Sequence, residues 1–198
     1  RDAMETTERQ KEIINAAFTL ISTQGIQDLT IKNLGKAIGV SEPAIYRHFA
    51  SKAEILSGIV DEITAVKNRT LAFSRSGDAD PRLCLRRFFS HQASEFEIFP
   101  PLSIILSPED LFRTDVGLIT RIRGLMAETR NTTTKLIEAA RKSGDIRKNI
   151  DSQTVSLMLL GGFRMLVSTW RLEKEHGHED SLTRLTEKFL SQTLKMLE

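Results

Sequence analysis

Apolar residues recur at three- and four-residue spacing along almost the whole chain, and no segment sustains the two-residue alternation of a strand. The pattern predicts an all-α protein of about nine helices. The first covers 6–24, with Ile13, Ile14, Ala17, Phe18 and Ile21 on one stripe and Gly25 as a left-handed stop. Thr30 is placed as the N-cap of a short helix carrying Ile31, Leu34 and Ile38, which Gly39 ends. Ser41 caps a third helix with Pro43 in its first turn, where a missing N–H costs nothing, and this helix ends near Phe49. Ser51 caps a fourth that runs to about Phe73, with Ile55, Leu56, Ile59, Ile63 and Val66 facing inward.

The polar run 74–80, SRSGDAD, marks a boundary, and Asp80-Pro81 starts a fifth helix reaching about Phe99. Pro100-Pro101 breaks it. After the apolar piece LSIIL, Ser107-Pro108-Glu109-Asp110 has the residues that open another helical turn. A long helix follows over 116–143 and stops at Gly144; Asp151 or Ser152 caps the next, which reaches about Lys174; the last runs from Ser181 almost to the end. Two domains result: a three-helix unit over 1–51, and a helical domain over 52–198 whose first helix is the linker.

The last two helices carry more apolar surface than one buried stripe needs. Val155, Leu159, Phe163, Leu166 and Trp170 make one stripe, and Met158, Gly161, Gly162, Met165 and Leu172 make another. The final helix adds Leu182, Leu185, Phe189, Leu190, Leu194 and Leu197. A two-fold dimer closed by a four-helix interface accounts for the second face, with Met158, Gly161, Met165, Leu172, Leu185 and Phe189 as its contacts.

Charge changes the picture in one place. The 198-residue chain carries a net charge of only +2, so it is not a polycation. Residues 30–52 alone carry +3, from Lys32, Lys36, Arg47 and Lys52 against Glu42. Two short helices joined by a tight turn, with polar and basic side chains outward, read as a helix-turn-helix that enters the major groove. Ser41, Glu42, Pro43 and Ala44 are short enough at the tip for the backbone to approach base edges: Glu42 accepts from a cytosine amino group, and Pro43 and Ala44 touch a thymine methyl. Tyr46, Arg47 and His48 reach phosphates from the flank, and Thr30 and Lys52 do so from two helix starts. Ile31, Leu34, Ile38, Val40, Ile45 and Phe49 form the core that fixes the two helices, and Gly35 lets them cross closely.

Residues 13–56 resemble the DNA-binding domain of the TetR family of bacterial transcriptional regulators. The resemblance rests on Ala16-Ala17-Phe18, Gly25, the run LTIKNLGKAIGVS and, above all, IYRHFASKAEIL. The last matches the family's aliphatic, Tyr, any, His or Tyr, Phe, any, Ser, Lys pattern. Further on, GDIRKNID before the apolar helix with Gly161 resembles the entrance to the family's eighth helix. By position, the resemblance implies phosphate contacts for Tyr46, His48 and Lys52, a basic contact for Lys32, and base reading for Glu42 to Ala44. Glu42 departs from the uncharged residues frequent at the tip, and Arg47 occupies a variable position. The resemblance also implies a cytoplasmic dimer whose heads sit about 34–36 Å apart on a palindromic operator. It implies repression lifted by a small molecule bound in each C-terminal domain.

A pocket between the face Leu85, Phe89, Gln92 and Phe96 and the face Val155, Leu159, Phe163 and Trp170 would be mostly apolar and suit a hydrophobic effector. Other features weigh less. His176 and His178 lie in a charged loop and read as solvated, since a structural zinc wants four protein ligands. Cys84 reads as a buried thiol, and a single cysteine fits a reducing compartment. No cofactor is implied. Paired carboxylates, a nucleophile elbow or a phosphate-binding glycine loop would mark an enzyme, and the sequence has none of these patterns. No apolar run reaches the ~20 residues of a membrane span, and the first ten residues are too polar for a signal peptide. The same fold under the control of a protein partner, a metal or a redox signal is the alternative.

Overall fold

The computed structural model describes residues 7–75, 80–106 and 115–198. Over these the chain forms eight α-helices and no strand: α1 (Glu8–Gln24), α2 (Ile31–Ile38), α3 (Glu42–Tyr46), α4 (Lys52–Ser74), α5 (Pro81–Ile98), α6 (Val116–Ser143), α7 (Ser152–Glu175) and α8 (Leu182–Leu197). Short 3-10 stretches fill Ile26–Asp28 and Pro100–Leu106. The helix start expected at Ser107 to Asp110 and Gly77 of the polar run lie outside the described residues.

Most boundaries follow from capping chemistry. The hydroxyl of Thr30 accepts from Asn33 N at 3.1 Å. Ser51 Oγ accepts from Glu54 N at 3.2 Å, Asp80 from Arg82 N at 2.9 Å, Asp151 from Thr154 N at 2.7 Å and Ser181 from Arg184 N at 3.2 Å. Each satisfies an amide that the helix itself leaves open. Three expectations change. Ser41 stands at the N-cap of α3 but makes no capping bond. The α3 helix ends at Tyr46, short of Phe49. Gly25 has φ 90° but ψ 167°, an extended glycine-only conformation in place of the left-handed helical one.

The chain divides into two compact units: residues 1–64 with 104–122, and 65–103 with 123–198. In the first, Ile13, Ala17, Phe18, Leu29, Leu34, Ile45, Ile55 and Ile59 are almost fully buried. Gly58 lets α4 pass α1 closely, because a Cβ there would meet Ile14 Cδ1 at 2.6 Å. Arg121, in the first turns of α6, donates to Ser57 Oγ at 3.0 Å and pairs with Asp61 on α4.

In the second unit α5, α7 and α8 pack together. Phe89 and Phe163 meet edge-on at 5.3 Å, and Phe96 stacks on Phe163 at 6.2 Å. Gly162 brings α7 against α8: a Cβ there would stand 2.6 Å from the Phe189 ring. Trp170 Nε1 donates to the Asp180 carbonyl at 2.8 Å, closing the α7–α8 turn.

Glu97, near the end of α5, holds the start of α8. Its carboxylate accepts from Thr183 N at 3.1 Å and from Thr183 Oγ1 at 2.8 Å. Partial burial pushes this carboxyl up, but the donors of Thr183, Ser181 and Leu182 together outweigh it and hold the group below its ordinary range. A lowered folded-state value contributes stability that is complete above the unfolded carboxylate range and is lost as pH falls through the folded value. Glu97→Gln is therefore expected to melt below wild type at neutral pH, by a loss of about 1 kcal/mol. At acid pH, below the folded value, the two should converge. Thermal melts at both pH values check this; an equal gap at both would remove the ionised carboxylate as the cause.

Candidate nucleic-acid interface

The reading head is built around Gly35. A Cβ there would meet the Val40 carbonyl oxygen at 2.7 Å and Ile45 Cδ1 at 3.8 Å, so glycine sets the approach of α2 to the turn and α3. Val40 N donates to Gly35 O at 2.9 Å. Gly39 takes the left-handed conformation at φ 70°, ψ 31°, and its N–H also bonds Gly35 O. Leu34, Ile45 and Phe49 are buried as expected, whereas Ile31, Ile38 and Val40 are only half-buried.

The side chains expected to face DNA are outside this core. Ser41, Glu42, Pro43, Tyr46 and Arg47 are exposed, with Ala44 and His48 half-buried. Thr30, Lys32 and Lys52 are exposed at or next to the starts of α2 and α4. Tyr46 keeps half its surface in solvent while its neighbour Ile45 is fully buried. The hydroxyl of Ser41, unused as a cap, is available to a base edge or phosphate. Thr30 Oγ1 already accepts from Asn33, and its O–H remains to donate, which suits a phosphate oxygen.

Sequence reasoning missed two residues beside this surface. Glu54 reaches back to Ala50 N, completing the start of α4 with Ser51. Gln10 donates from Nε2 to the His48 carbonyl at 3.3 Å. The Ser-x-x-Glu spacing at 51–54 and the Thr-x-x-Gln spacing at 7–10 signal the two caps. Nothing local signals the bond from residue 10 to residue 48.

The second set of expected residues falls into two classes. Leu85, Phe89, Phe96, Leu159, Phe163 and Trp170 are buried, and Gln92 is half-buried. On the opposite face of α7, Met158, Met165 and Leu172 are exposed by 55–68% and Gly161 is exposed with nothing near its Cβ direction. Leu185 and Phe189 on α8 are half-buried. Leu157 and Met196 join the exposed apolar set and were not anticipated. Cys84 is buried. His176 bonds the Leu172 carbonyl through Nδ1 at 2.7 Å. Among the described residues, no three His, Cys, Asp or Glu side chains gather as a metal site, and no helix is long and apolar enough to cross a membrane.

Comparison with known proteins agrees with this geometry. Residues 13–59 match the family described as bacterial regulatory proteins, tetR family. The nucleoid occlusion factor SlmA of Vibrio atlanticus is 30% identical over 158 residues, which cover 77% of this chain and 79% of that protein. SlmA of Photobacterium profundum is 46% identical over 70 residues, but that match spans only 36% of the relative's length and 33% of this chain. In the solved structures, the transcriptional regulator FadR from Bacillus subtilis in complex with stearoyl-CoA superposes with a TM-score of 0.73 at 20% identity, over 95% of this chain and 99% of that one. The MbdR regulator from Azoarcus sp. CIB reaches a TM-score of 0.82 at 18% identity, over 95% and 98%.

Proposed function

From the premise that the chain belongs to the tetR family of bacterial regulatory proteins and is a helix-turn-helix DNA-binding regulator of transcription, we propose that it is a dimeric repressor. In this reading it acts in the cytoplasm, binds a palindromic operator, and is released by a small hydrophobic effector. The observation that carries the reading is the two-sidedness of α7. Val155, Leu159, Phe163, Val167 and Trp170 are buried within their own unit, while Leu157, Met158, Met165 and Leu172 lie in solvent on the other side. A contiguous exposed apolar surface on a helix is what a partner covers, and a two-fold partner gives two reading heads for one palindrome.

The effector half of the reading rests on the apolar side chains between α5 and α7, where Phe89 and Phe96 meet Phe163. It draws support from the FadR relative, solved with stearoyl-CoA. An effector shifts the protein only through its different affinity for the DNA-competent state and the released one. The α4 helix contributes its first turns to one compact unit and its last turns to the other. A change in its angle is the proposed relay, and the Arg121 fork on Ser57 and Asp61 is positioned to bias it.

Selection of bound duplexes from a random pool, at stated salt, tests the DNA half. A palindrome is expected, and enrichment without two-fold symmetry overturns the dimeric reader. Adding long-chain acyl molecules and other apolar compounds to the selected complex tests the second half, with release expected. A second reading is control by a protein partner other than a second copy, seated on the exposed Leu157, Met158, Met165 and Leu172 of α7. A palindrome whose complex ignores every apolar compound would select it.

A further inference from the structure

The α3 helix has five residues, Glu42–Tyr46. A helix this short does not hold itself in water, because its nucleation cost exceeds what so few hydrogen bonds return. Its inner side is fixed by Ile45, fully buried, and by Phe49 just beyond its end. Its C-terminal carbonyls still need donors. Ile45 O takes two, from His48 N at 2.9 Å and Phe49 N at 3.0 Å. His48 O takes a donor from outside the helix-turn-helix: Gln10 Nε2 on α1.

Gln10 is held from three directions. Its backbone N–H donates to Thr7 Oγ1 at 3.2 Å, its Oε1 accepts from Thr7 N at 2.9 Å, and its Nε2 donates to His48 O at 3.3 Å. One partner of the side-chain amide is a backbone donor and the other a backbone acceptor, so only one orientation of the amide serves both. The first two bonds form the capping box of α1, for which glutamate works as well as glutamine. The third does not admit glutamate, since an ionised carboxylate has no proton to donate. The α1 helix is itself anchored by Ile13, Ile14, Ala17 and Phe18, so the donor arrives from a fixed support.

We propose that Gln10 is a positioning residue for DNA binding: its side-chain amide fixes the backbone at His48 and thereby sets the phosphate-facing side chains Tyr46 and His48. It does not touch DNA in this role. Its identity as glutamine is required by the bond to residue 48 and not by the cap.

The experiment compares full-length wild type, Gln10→Glu and Gln10→Met. Three quantities are read: the thermal midpoint, the affinity for a random-sequence duplex at low and moderate salt, and amide exchange of residues 46–50 in the free protein. Gln10→Glu preserves the capping box and is expected to melt above Gln10→Met, losing only the bond to residue 48. It should lose about three- to tenfold in affinity at both salts, with faster exchange at 46–50. Gln10→Met, which is uncharged, should lose affinity by at least as much and also melt lower, because the cap goes with it. A Gln10→Glu protein that binds and exchanges like wild type overturns the proposal. So does a loss that disappears at the higher salt, which would be charge repulsion alone, or a midpoint for Gln10→Glu as low as that of Gln10→Met, which would make the residue merely structural. If wild type itself fails to bind duplex DNA, the DNA-binding reading falls, while the exchange rates still decide whether Gln10 fixes residue 48.

Discussion

Gly35→Val is expected to abolish DNA binding. The Cβ it adds lies 2.7 Å from the Val40 carbonyl oxygen, a backbone atom that cannot rotate aside. That carbonyl belongs to a turn already tied to residue 35, since Val40 N donates to Gly35 O at 2.9 Å and Gly39 N–H shares the same acceptor. Moving Val40 away breaks the turn; moving α2 away opens the gap over Ile45. The further methyls of valine point into the same crowded space. Overpacking of this kind costs about 1–3 kcal/mol, of which valine's slightly better helix propensity than glycine's returns only a few tenths. The energy falls on the small interface between α2 and α3, so the expected result is a loss of duplex affinity of about a hundredfold or more, read by titration with the selected operator.

The sign of the effect is diagnostic. Glycine in a helix interior is normally a weakness, and alanine there gains about 1 kcal/mol. Gly124 is such a site: it lies inside α6, exposed, with nothing within 4 Å of its Cβ direction. Gly124→Ala should raise the melting midpoint while Gly35→Ala lowers it. If both raised it, the close approach at Gly35 would not be what fixes the reading head.

This contrast also shows how far the sequence could be read. The helices were legible because each carries a stripe at helical spacing and several start at a recognisable capping residue; Thr30, Asp80 and Ser181 follow from residue type, while Asp151 and Ser152 were both open at the start of α7. Gly35 was legible because it stands between Leu34 and Ile38 inside a short helix that must cross another. The adjacent pair Gly161-Gly162 was not separable. One turn angle apart on α7, Gly161 faces open space and Gly162 faces the Phe189 ring, and only the position of α8 distinguishes them. The bond from Gln10 to His48 and the Arg121 fork join residues 38 and about 60 positions apart. No periodicity encodes them. The aromatic face of α5 stayed ambiguous for another reason: a packed core and an apolar binding site demand the same residues at the same spacing.

The double substitution Met158→Glu, Met165→Glu is expected to leave each subunit folded and to abolish the proposed dimer. Both side chains are more than half exposed in the single chain, as are Leu157, Leu172 and Met196. Two carboxylates there remain hydrated in a monomer and cost almost nothing. In an interface formed by two copies of this face, four carboxylates would leave water together without partners, and each uncompensated buried charge costs several kcal/mol. Sedimentation should therefore show a monomer. The melting midpoint should lose any dependence on protein concentration that wild type shows. Operator affinity should fall by about 10²–10⁴, because the second head then binds as an independent molecule. A variant that remains dimeric would move the interface elsewhere. Gly161 gives an internal check on where the partner lies. Its Cβ direction is empty in the single chain, so Gly161→Ala should stabilise an isolated subunit by about 1 kcal/mol. If it destabilises the dimer instead, the atoms that it meets belong to the second copy, and the closest approach of the two subunits is at residue 161.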